Sequence, residues 1–305
     1  MPLNWHSVTM VATANALVDL LRVKQADTDL FIGAHPNTRL QRTFGGQVMA
    51  QALMAAYGTV REDQIAHSLA GYFLKAGVTT QDIEYIVDRV LDGRSFATRM
   101  VRAVQGDTVI FSLFASFHMI EDGLEHSDVV PLYAPWPQEC PPLADVMNAR
   151  FGHSELWDEW NALDVRFAGD SGASHQIPRG NHSAHMRVWV RTTGRLPDDH
   201  RIHHAVMAYL SDITLLSVST VPHEVNFTSS RMMVRSITHS MWFHRPFRAD
   251  DWMLYDQISP SASMSLGYST GRLFQNEVMI GSASQEGLIR VLREDSTKGG
   301  LVRSA

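Results

Sequence analysis

Cysteine is almost absent from the sequence: Cys140 is the single cysteine among 305 residues, so an internal disulfide is excluded and a reducing compartment is expected. A positive net charge is also absent. The formal charge is −6, which excludes a chain built as a whole to attract nucleic acid, so an anionic ligand would need a local basic patch.

Long apolar runs are missing as well. No stretch approaches the ~18 consecutive apolar residues of a membrane-spanning helix. The first residues combine neither a basic segment nor the apolar run of a signal peptide. We therefore expect a cytoplasmic protein without a membrane span. The 45% hydrophobic and 19% charged residues are typical of globular proteins, and the length suits about two domains.

The first part of the chain has a recognisable order of elements. Apolar spacing predicts a short helix over 9–22, a strand over 28–33 and a helix over 44–58. Three runs of alternating apolar residues follow, separated by the turn signals Asp92-Gly93 and Gly106-Asp107. This order predicts one apolar helix beside an antiparallel meander.

The segment 122–160 interrupts this pattern, and the same order then returns. The segment is rich in proline around APWPQECPPL and contains one helical stretch, LADVMNARF. Beyond it we predict strands over 164–169 and 188–192, a helix over 203–218 and further alternating strands. Three landmarks recur in order: Val48-Met49-Ala50 as Val206-Met207-Ala208, His67-Ser68 as His239-Ser240, and Ala115-Ser116 as Ala283-Ser284.

Internal repeats decide the fold more than local predictions do. A single apolar helix beside an antiparallel sheet is best buried when the sheet wraps it. We therefore predict an α+β protein with a double hotdog fold, in which each repeat has a central helix wrapped by an antiparallel sheet. The predicted boundaries are 1–121 for the first repeat, 122–160 for a linker or covering segment, 161–295 for the second repeat and 296–305 for a tail.

Several motifs resemble those of the acyl-CoA thioesterase II family, over about residues 20–292 and in both repeats. HSMWFHRPF (239–247) is the most specific of them. The others are FGGQVMAQAL, HSLAGYFL, DGRSFATRMV, FASFH, AYLSD, WMLY and SQEGLIR. The resemblance implies hydrolysis of fatty acyl-CoA to free acid and CoA, without a metal or other cofactor. It also implies self-association into a homodimer or larger homo-oligomer, which would cover exposed sheet edges.

The family's catalytic trio falls by motif match on Asp212, Ser236 and Gln285. Serine stands where threonine is more frequent in the family, and FLKAG (73–77) stands where FLRPG is common. The repeat offers a comparison for two of these residues. Asp212 corresponds to Met54, so the fold does not require an acid there. Gln285 lies on a strand face with small neighbours, whereas the matched face of the first repeat carries large apolar side chains.

The trio suits hydrolysis of a thioester by water. Asp212 would act as general base, and Ser236 and Gln285 would orient the water. Gly45-Gly46, at the start of the predicted helix, could bring backbone N–H groups to the oxyanion, or could simply form a tight turn. Direct attack by Asp212 through an anhydride stays open.

Further candidates concern the substrate. His67 and His239, at matched places in the two repeats, are candidates for substrate binding. Arg42, Lys75, Arg245 and Arg290 are candidates for the CoA phosphates. Acyl chain length, pathway and the role of segment 122–160 are not predicted by the sequence.

Three other interpretations do not fit the sequence. GYSTG (267–271) matches the G-x-S-x-G elbow, but no histidine follows Ser269 and the context indicates strands rather than a strand-turn-helix. The paired histidines lack the spacing of a zinc site. A hotdog hydratase would pair its helix acid with a histidine one turn on, and none follows Asp212. The remaining alternative is a non-catalytic acyl-CoA or acyl-chain binding protein, which would release no free thiol from acyl-CoA.

Overall fold

The computed structural model describes residues 11–131, 134–172, 176–177 and 184–292. Within these ranges twelve strands form one antiparallel sheet. The strands are β1 (Lys24–Asp27), β2 (Leu30–Gly33), β3 (Gln64–Phe73), β4 (Ile83–Asp92), β5 (Phe96–Gln105), β6 (Thr108–Met119), β7 (Leu163–Asp170), β8 (Ala184–Thr192), β9 (Met232–Phe243), β10 (Met253–Ser263), β11 (Leu266–Gln275) and β12 (Val278–Val291). Their spatial order is β1-β2-β4-β5-β6-β3-β9-β12-β11-β10-β8-β7.

The helices correspond closely to the sequence predictions. They are α1 (Ala14–Leu21), α2 (Gly45–Tyr57), α3 (Leu143–Phe151) and α4 (His200–Thr214), with 3-10 segments at Pro137–Glu139, Glu155–Trp160 and Leu216–His223. Three elements differ from the predictions. The helix expected to reach residue 218 changes to a 3-10 segment after Thr214, and β1 was not predicted because its four residues are all exposed and carry no apolar alternation. The helix predicted over 9–22 is also shorter than expected, because it begins at Ala14 after the N-cap Thr13 and ends at Leu21. Residues 9 and 10 and the predicted tail 296–305 lie outside the described residues.

The two repeats share the sheet through β3 and β9, which pair antiparallel with Ala70 opposite Ser240. Sheet and helices together confirm the α+β class. The helices α2 and α4 pack against each other on the inner face of the sheet. Their approach is close enough that a Cβ on Gly46 would lie 2.3 Å from the carbonyl oxygen of Tyr209. A glycine is therefore required where the two helices meet.

The core is continuous between the repeats. Val48, Met49 and Leu53 of α2 and Val206 and Met207 of α4 are almost fully buried and belong to one apolar cluster with the inner sheet face. Burying each such side chain contributes roughly 1.5–3 kcal/mol. The helices are thus held at a fixed mutual position, which places the end of α4 beside the start of α2.

The segment between the repeats is packed onto both of them. On the side of the first repeat, the buried carboxylate of Glu159 accepts hydrogen bonds from Thr38 Oγ1 at 2.5 Å and from the backbone N–H of Arg39 at 2.8 Å. On the side of the second repeat, the N–H of Phe167 donates to the carbonyl of Pro141 at 2.8 Å. These contacts hold α3 and the following 3-10 segment as a wall rather than as a loose tether.

One helical segment among the described residues, His200–His223, is long and apolar enough to cross a membrane. Its apolar window is 72% buried inside the protein, as is usual for the central helix of a core.

Candidate active site

Asp212 lies near the C-terminal end of α4, with a side chain that is only 4% exposed. A buried carboxylate needs hydrogen-bond donors to offset the loss of its water shell. Two side chains supply them. Ser236 Oγ, on β9, donates to Asp212 Oδ1 at 3.2 Å, and Gln285 Nε2, on β12, donates to the same oxygen.

Gln285 also connects to the serine, which closes the trio. Its Nε2 donates to Ser236 Oγ at 2.9 Å, so the hydroxyl accepts from the amide and donates to the carboxylate. Gln285 is 1% exposed, and its Oε1 has no hydrogen-bond partner within the part of the chain that the structure describes. The structure therefore brings together all three residues that the motif match selected, from one helix and two neighbouring strands.

The start of α2 lies against the same carboxylate. A Cβ on Gly45 would stand 2.6 Å from Asp212 Oδ2 and 2.9 Å from the ring of Phe73, so only glycine leaves the carboxylate in this position. The helix begins at Gly45 without a side-chain cap, with Phe44 as the preceding residue. The positive end of the helix dipole thus faces the site, which favours negative charge there.

His239 takes a position behind the carboxylate rather than in contact with solvent. Its ring is fully buried, with Nε2 at 3.0 Å from Ser211 Oγ and Nδ1 at 3.8 Å from Asp212 Oδ1. The structure therefore places this substrate-binding candidate in the core beside Asp212, without a hydrogen bond from Nδ1 in the described part of the chain. Tyr255 closes the same region: burial, and secondly the Asp212 charge, raise its pKa, and its neutral hydroxyl donates to the Ser211 carbonyl.

Asp212 and Ser236 open onto a cavity of about 170 Å³, which we call the catalytic cavity. Its walls are mostly apolar, and Gly45 lies on them. Two of the predicted phosphate-binding residues, Arg42 and Lys75, line it. A third cation, Arg235, lines it as well and was missed by the sequence reasoning, although it directly precedes Ser236 in the motif used to find the serine. Its guanidinium donates to the carbonyl of Leu74 at 3.1 Å.

Three other candidates lie elsewhere. His67 Nε2 is 2.9 Å from Ser116 Oγ, and its ring packs against Phe96. Arg245 donates to the carbonyls of Met279 and His126, and Arg290 is an exposed residue near the end of β12. None of the three is among the residues that line the catalytic cavity. His67 was selected because it matches His239 in the repeat, and Arg245 and Arg290 were selected for their charge. Neither signal indicates whether a residue lies near the catalytic cavity.

The rival motifs take ordinary structural positions. Ser269 of GYSTG is a fully buried residue in the middle of β11, opposite Gln285, so its context is strand-to-strand and not the turn of a nucleophile elbow. In the described ranges no three His, Cys, Asp or Glu side chains converge as ligands for a metal ion.

The fold, with two α-helices held against an antiparallel sheet, is that of a hotdog protein. Its site has a carboxylate, a hydroxyl and an amide in contact at the edge of an apolar cavity, which suits hydrolysis. Two family models match the chain: "Acyl-CoA thioesterase" over residues 158–288 and "Acyl-CoA thioesterase N-terminal domain" over residues 34–118. The chain is also 32% identical to acyl-CoA thioesterase 2 of Haemophilus influenzae, over 90% of this chain and 97% of that protein.

Solved structures agree with this. The crystal structure of the acyl-CoA thioesterase II TesB2 from Mycobacterium marinum matches with a TM-score of 0.78 and 36% identity, covering 90% of this chain and 98% of that one. A hot dog fold protein from Alicyclobacillus acidocaldarius matches at 16% identity with a TM-score of 0.72, covering 91% and 99%, which supports the fold alone. The chain belongs to the acyl-CoA thioesterase family, which confirms the predicted family, the hotdog fold and the enzyme class of thioester hydrolases.

Proposed function

We propose that this protein hydrolyses fatty acyl-CoA to free acid and CoA with a water molecule activated at Asp212. The observation that carries the proposal is the direct contact of Asp212 with Ser236 and Gln285 at the edge of the catalytic cavity. Location in the cytoplasm and self-association stay predictions.

Asp212 acts as the general base. Its carboxylate accepts a proton from water while the water oxygen forms a bond to the thioester carbonyl carbon, and the carbonyl becomes an oxyanion. When the tetrahedral intermediate collapses, the carbon–sulfur bond breaks and Asp212 returns the proton to the sulfur of CoA. The acid and CoA–SH leave, and the carboxylate is restored.

Ser236 and Gln285 fix the geometry of this step. Both donate to Asp212 Oδ1, so that oxygen is held in place and Oδ2 is directed toward Gly45. Gln285 also donates to Ser236, which orients the hydroxyl that lines the cavity. A base, a hydroxyl and a water held in fixed positions remove the entropy cost of bringing them together.

The start of α2 is suited to the oxyanion. The first N–H groups of a helix have no partner within the helix, and the dipole there favours developing negative charge. The glycine at position 45 allows a carbonyl to approach the backbone, because it leaves no side chain between the helix and Asp212. Arg42, Lys75 and Arg235 supply positive charge around the cavity for the CoA phosphates.

The experiment is release of free thiol from palmitoyl-CoA and from a shorter acyl-CoA by the purified protein. We expect robust release by the wild type and a loss of about 10²–10⁴-fold in kcat for Asp212→Asn, because the base is removed. The matched control is Asp122→Asn, at an exposed aspartate in the segment between the repeats, with full activity expected. Thermal unfolding checks that each variant is folded.

Either of two results would contradict the proposal. Unchanged release by Asp212→Asn would move the chemistry away from the trio, and binding of acyl-CoA without any thiol release would leave a binding protein. A single turnover in water enriched in heavy oxygen tests the route through an anhydride. Label in the carboxylate of Asp212 identifies direct attack followed by opening of the anhydride at that residue, whereas water attack on the thioester labels the fatty acid only.

A further inference from the structure

Three polar groups are buried together in the sheet behind the catalytic trio. Gln285 Oε1, Ser269 Oγ and Gln257 Nε2 have no hydrogen-bond partner within the described part of the chain. Each of these three residues is at most 1% exposed. Buried polar groups are nearly always hydrogen-bonded, either to the protein or to an enclosed water molecule. The three groups therefore indicate a further interaction at this place.

The register of the sheet brings the three side chains close to each other. Ser269 of β11 lies directly opposite Gln285 of β12. Gln257 of β10 lies opposite Gly271, which is two residues from Ser269 and on the same strand face. Side chains directly opposite each other have Cβ atoms about 4.5–5.5 Å apart, and diagonal neighbours are within reach of a long side chain. The three residues thus form a group that spans three strands, which we call the polar row.

The free groups of the polar row are complementary as donors and acceptors. Gln285 uses its Nε2 to donate to the rest of the trio, so its Oε1 remains as an acceptor. Gln257 Oε1 accepts from Thr214 Oγ1 at 2.8 Å, so its Nε2 remains as a donor. The hydroxyl of Ser269 can donate and accept. One enclosed water molecule, which typically makes about three hydrogen bonds, satisfies this set.

The neighbour of Gln285 on the other side of the sheet cannot serve its oxygen. His239 of β9 lies opposite Gln285, with Nε2 at 3.0 Å from Ser211 Oγ. That hydroxyl donates to the carbonyl of Ala208 at 2.8 Å, so it accepts from the N–H of the His239 Nε2. The neutral ring then has no hydrogen on Nδ1. Of the two residues opposite Gln285, Ser269 is thus the one with a hydrogen to donate.

We propose that Ser269 and Gln257 are positioning residues of the reaction, which hold the Gln285 amide through one enclosed water molecule. This inference rests on the proposed function. The water accepts from Gln257 Nε2, donates to Gln285 Oε1 and bonds the Ser269 hydroxyl. Gln285 is thereby fixed with its N–H groups toward Asp212. The terminal torsion of a glutamine is otherwise soft, and a half-turn would place the acceptor Oε1 against the carboxylate.

The hydrogen bonds of the polar row begin and end on the same helix. Thr214 and Asp212 are two residues apart on α4. The chain of bonds runs from Thr214 to Gln257, through the water to Gln285, and from there to Asp212. The end of α4 is therefore tied to the sheet on both sides of the carboxylate, and the geometry of the base depends on residues that do not touch the substrate.

The first test removes the hydroxyl of Ser269. Ser269→Ala is expected to lower kcat for palmitoyl-CoA about tenfold, because the buried amide oxygen of Gln285 loses part of its bonding and the amide is no longer fixed. KM should stay nearly unchanged, because Ser269 is not among the residues that line the catalytic cavity. The matched control is Ser219→Ala, at another buried serine, whose hydroxyl donates to the carbonyl of Leu216. Wild-type kcat in Ser269→Ala would overturn the proposal.

A double-mutant cycle separates the positioning of Gln285 from a general effect on the fold. In a Gln285→Ala background, adding Ser269→Ala should change kcat by less than about twofold, because the amide that the serine holds is gone. Gln257→Met, which removes the donor and keeps the length of the side chain, should show the same dependence on Gln285. Equal losses with and without Gln285 would mean that these residues act on the fold as a whole, and would overturn the proposal.

A crystal structure of the wild type tests the polar row without a variant and without turnover. We expect one enclosed water molecule within about 3 Å of Gln285 Oε1, Ser269 Oγ and Gln257 Nε2. Clear density for these side chains with no water between them would overturn the proposed link. The kinetic results also separate this inference from the proposed function. A wild type that releases no thiol overturns the hydrolysis, whereas an active wild type with an equally active Ser269→Ala overturns the positioning role alone.

Discussion

The two central helices α2 and α4 form two junctions, each between the start of one helix and the end of the other. One junction has a cavity beside it, and the other is filled with side chains. At the catalytic junction the start of α2 meets the end of α4, and Gly45 lies beside Asp212. At the second junction the start of α4 meets the end of α2, and His204 Nδ1 lies 2.7 Å from Tyr57 Oη. The repeat thus supplies an internal control for what makes a site.

At three matched positions the filled junction carries ring side chains and the catalytic junction does not. The imidazole of His204 stacks on Phe243 with ring centroids 4.3 Å apart and on Phe247 at 5.4 Å. Counted from the matched landmarks Val48 with Val206 and His67 with His239, these three residues correspond to Gly46, Gly71 and Lys75 of the first repeat. The three positions that carry rings in the filled junction are therefore occupied by two glycines and a flexible lysine in the catalytic junction.

Two polar residues of the catalytic junction have apolar counterparts in the repeat. Asp212 corresponds to Met54, and Gln285 corresponds to Phe117, which is fully buried. A site of this kind therefore needs two kinds of change in a duplicated fold. Side chains are removed to make space, and a carboxylate and an amide that bond each other are placed at its edge.

Among the variants that test this comparison of the two junctions, the largest effect is expected from adding one methyl group to the catalytic junction. Gly45→Ala places a Cβ 2.6 Å from Asp212 Oδ2 and 2.9 Å from Phe73, so the carboxylate must shift. We expect a loss of about 10²-fold in kcat, the scale at which misplacement by about 1 Å acts. The measurement is steady-state thiol release.

The control for this variant is Gly123→Ala, because a Cβ at that exposed glycine meets nothing within 4 Å. Full activity of Gly45→Ala would show that the close approach of α2 to Asp212 is not needed for catalysis.

The next effect concerns the filled junction and stability. Burial lowers the pKa of His204 to about 3 from 6.5, with smaller contributions of the same sign from His200 and His203 and an opposing one from Asp199. The unfolded chain therefore binds a proton at this residue that the folded chain does not, between about pH 6.5 and pH 3. The contribution of neutral His204 to the unfolding free energy is full above pH 6.5 and is lost progressively below it.

Replacing this histidine by phenylalanine tests the sign. We expect the unfolding free energy of His204→Phe to fall less steeply between pH 6.5 and 4 than that of the wild type, in denaturant titrations. At pH 7 the variant should be less stable by about 1–3 kcal/mol, because Tyr57 loses a hydrogen-bond partner in a buried place. The exposed His153→Phe serves as the control. Parallel curves for all three proteins would contradict a buried neutral histidine.

The smallest expected effect distinguishes cations at the catalytic cavity from cations elsewhere, which the sequence alone could not do. Lys75 lines the catalytic cavity and Arg290 does not. We expect Lys75→Met to raise KM for acyl-CoA by about two- to fivefold at low salt, and less at high salt, because an exposed ion pair contributes little and is screened. Arg290→Met should leave KM unchanged. An equal rise for both variants would mean that the general charge of the protein matters and not the mouth of the cavity.

Much of the local structure could be predicted because it depends on neighbouring residues. The stretch LADVMNARF forms α3 with the same bounds, and α2 spans all but the two end residues of its prediction. The helix over 203–218 was predicted too long for a tertiary reason. Leu216 packs against Gly287 of β12, where a Cβ would lie 2.4 Å from its side chain, and the chain leaves the α-helix just before it.

The sequence by itself determined the repeat, the family and the chemical types of the trio, because each is carried by short motifs whose residues are covalent neighbours. The tertiary structure alone decided which junction opens, that His239 lies behind the carboxylate and not in the cavity, and that Arg235 joins Arg42 and Lys75 while Arg245 and Arg290 do not. These outcomes depend on distances between residues that are far apart along the chain, and those distances are set by how the helices and the sheet pack around a common core.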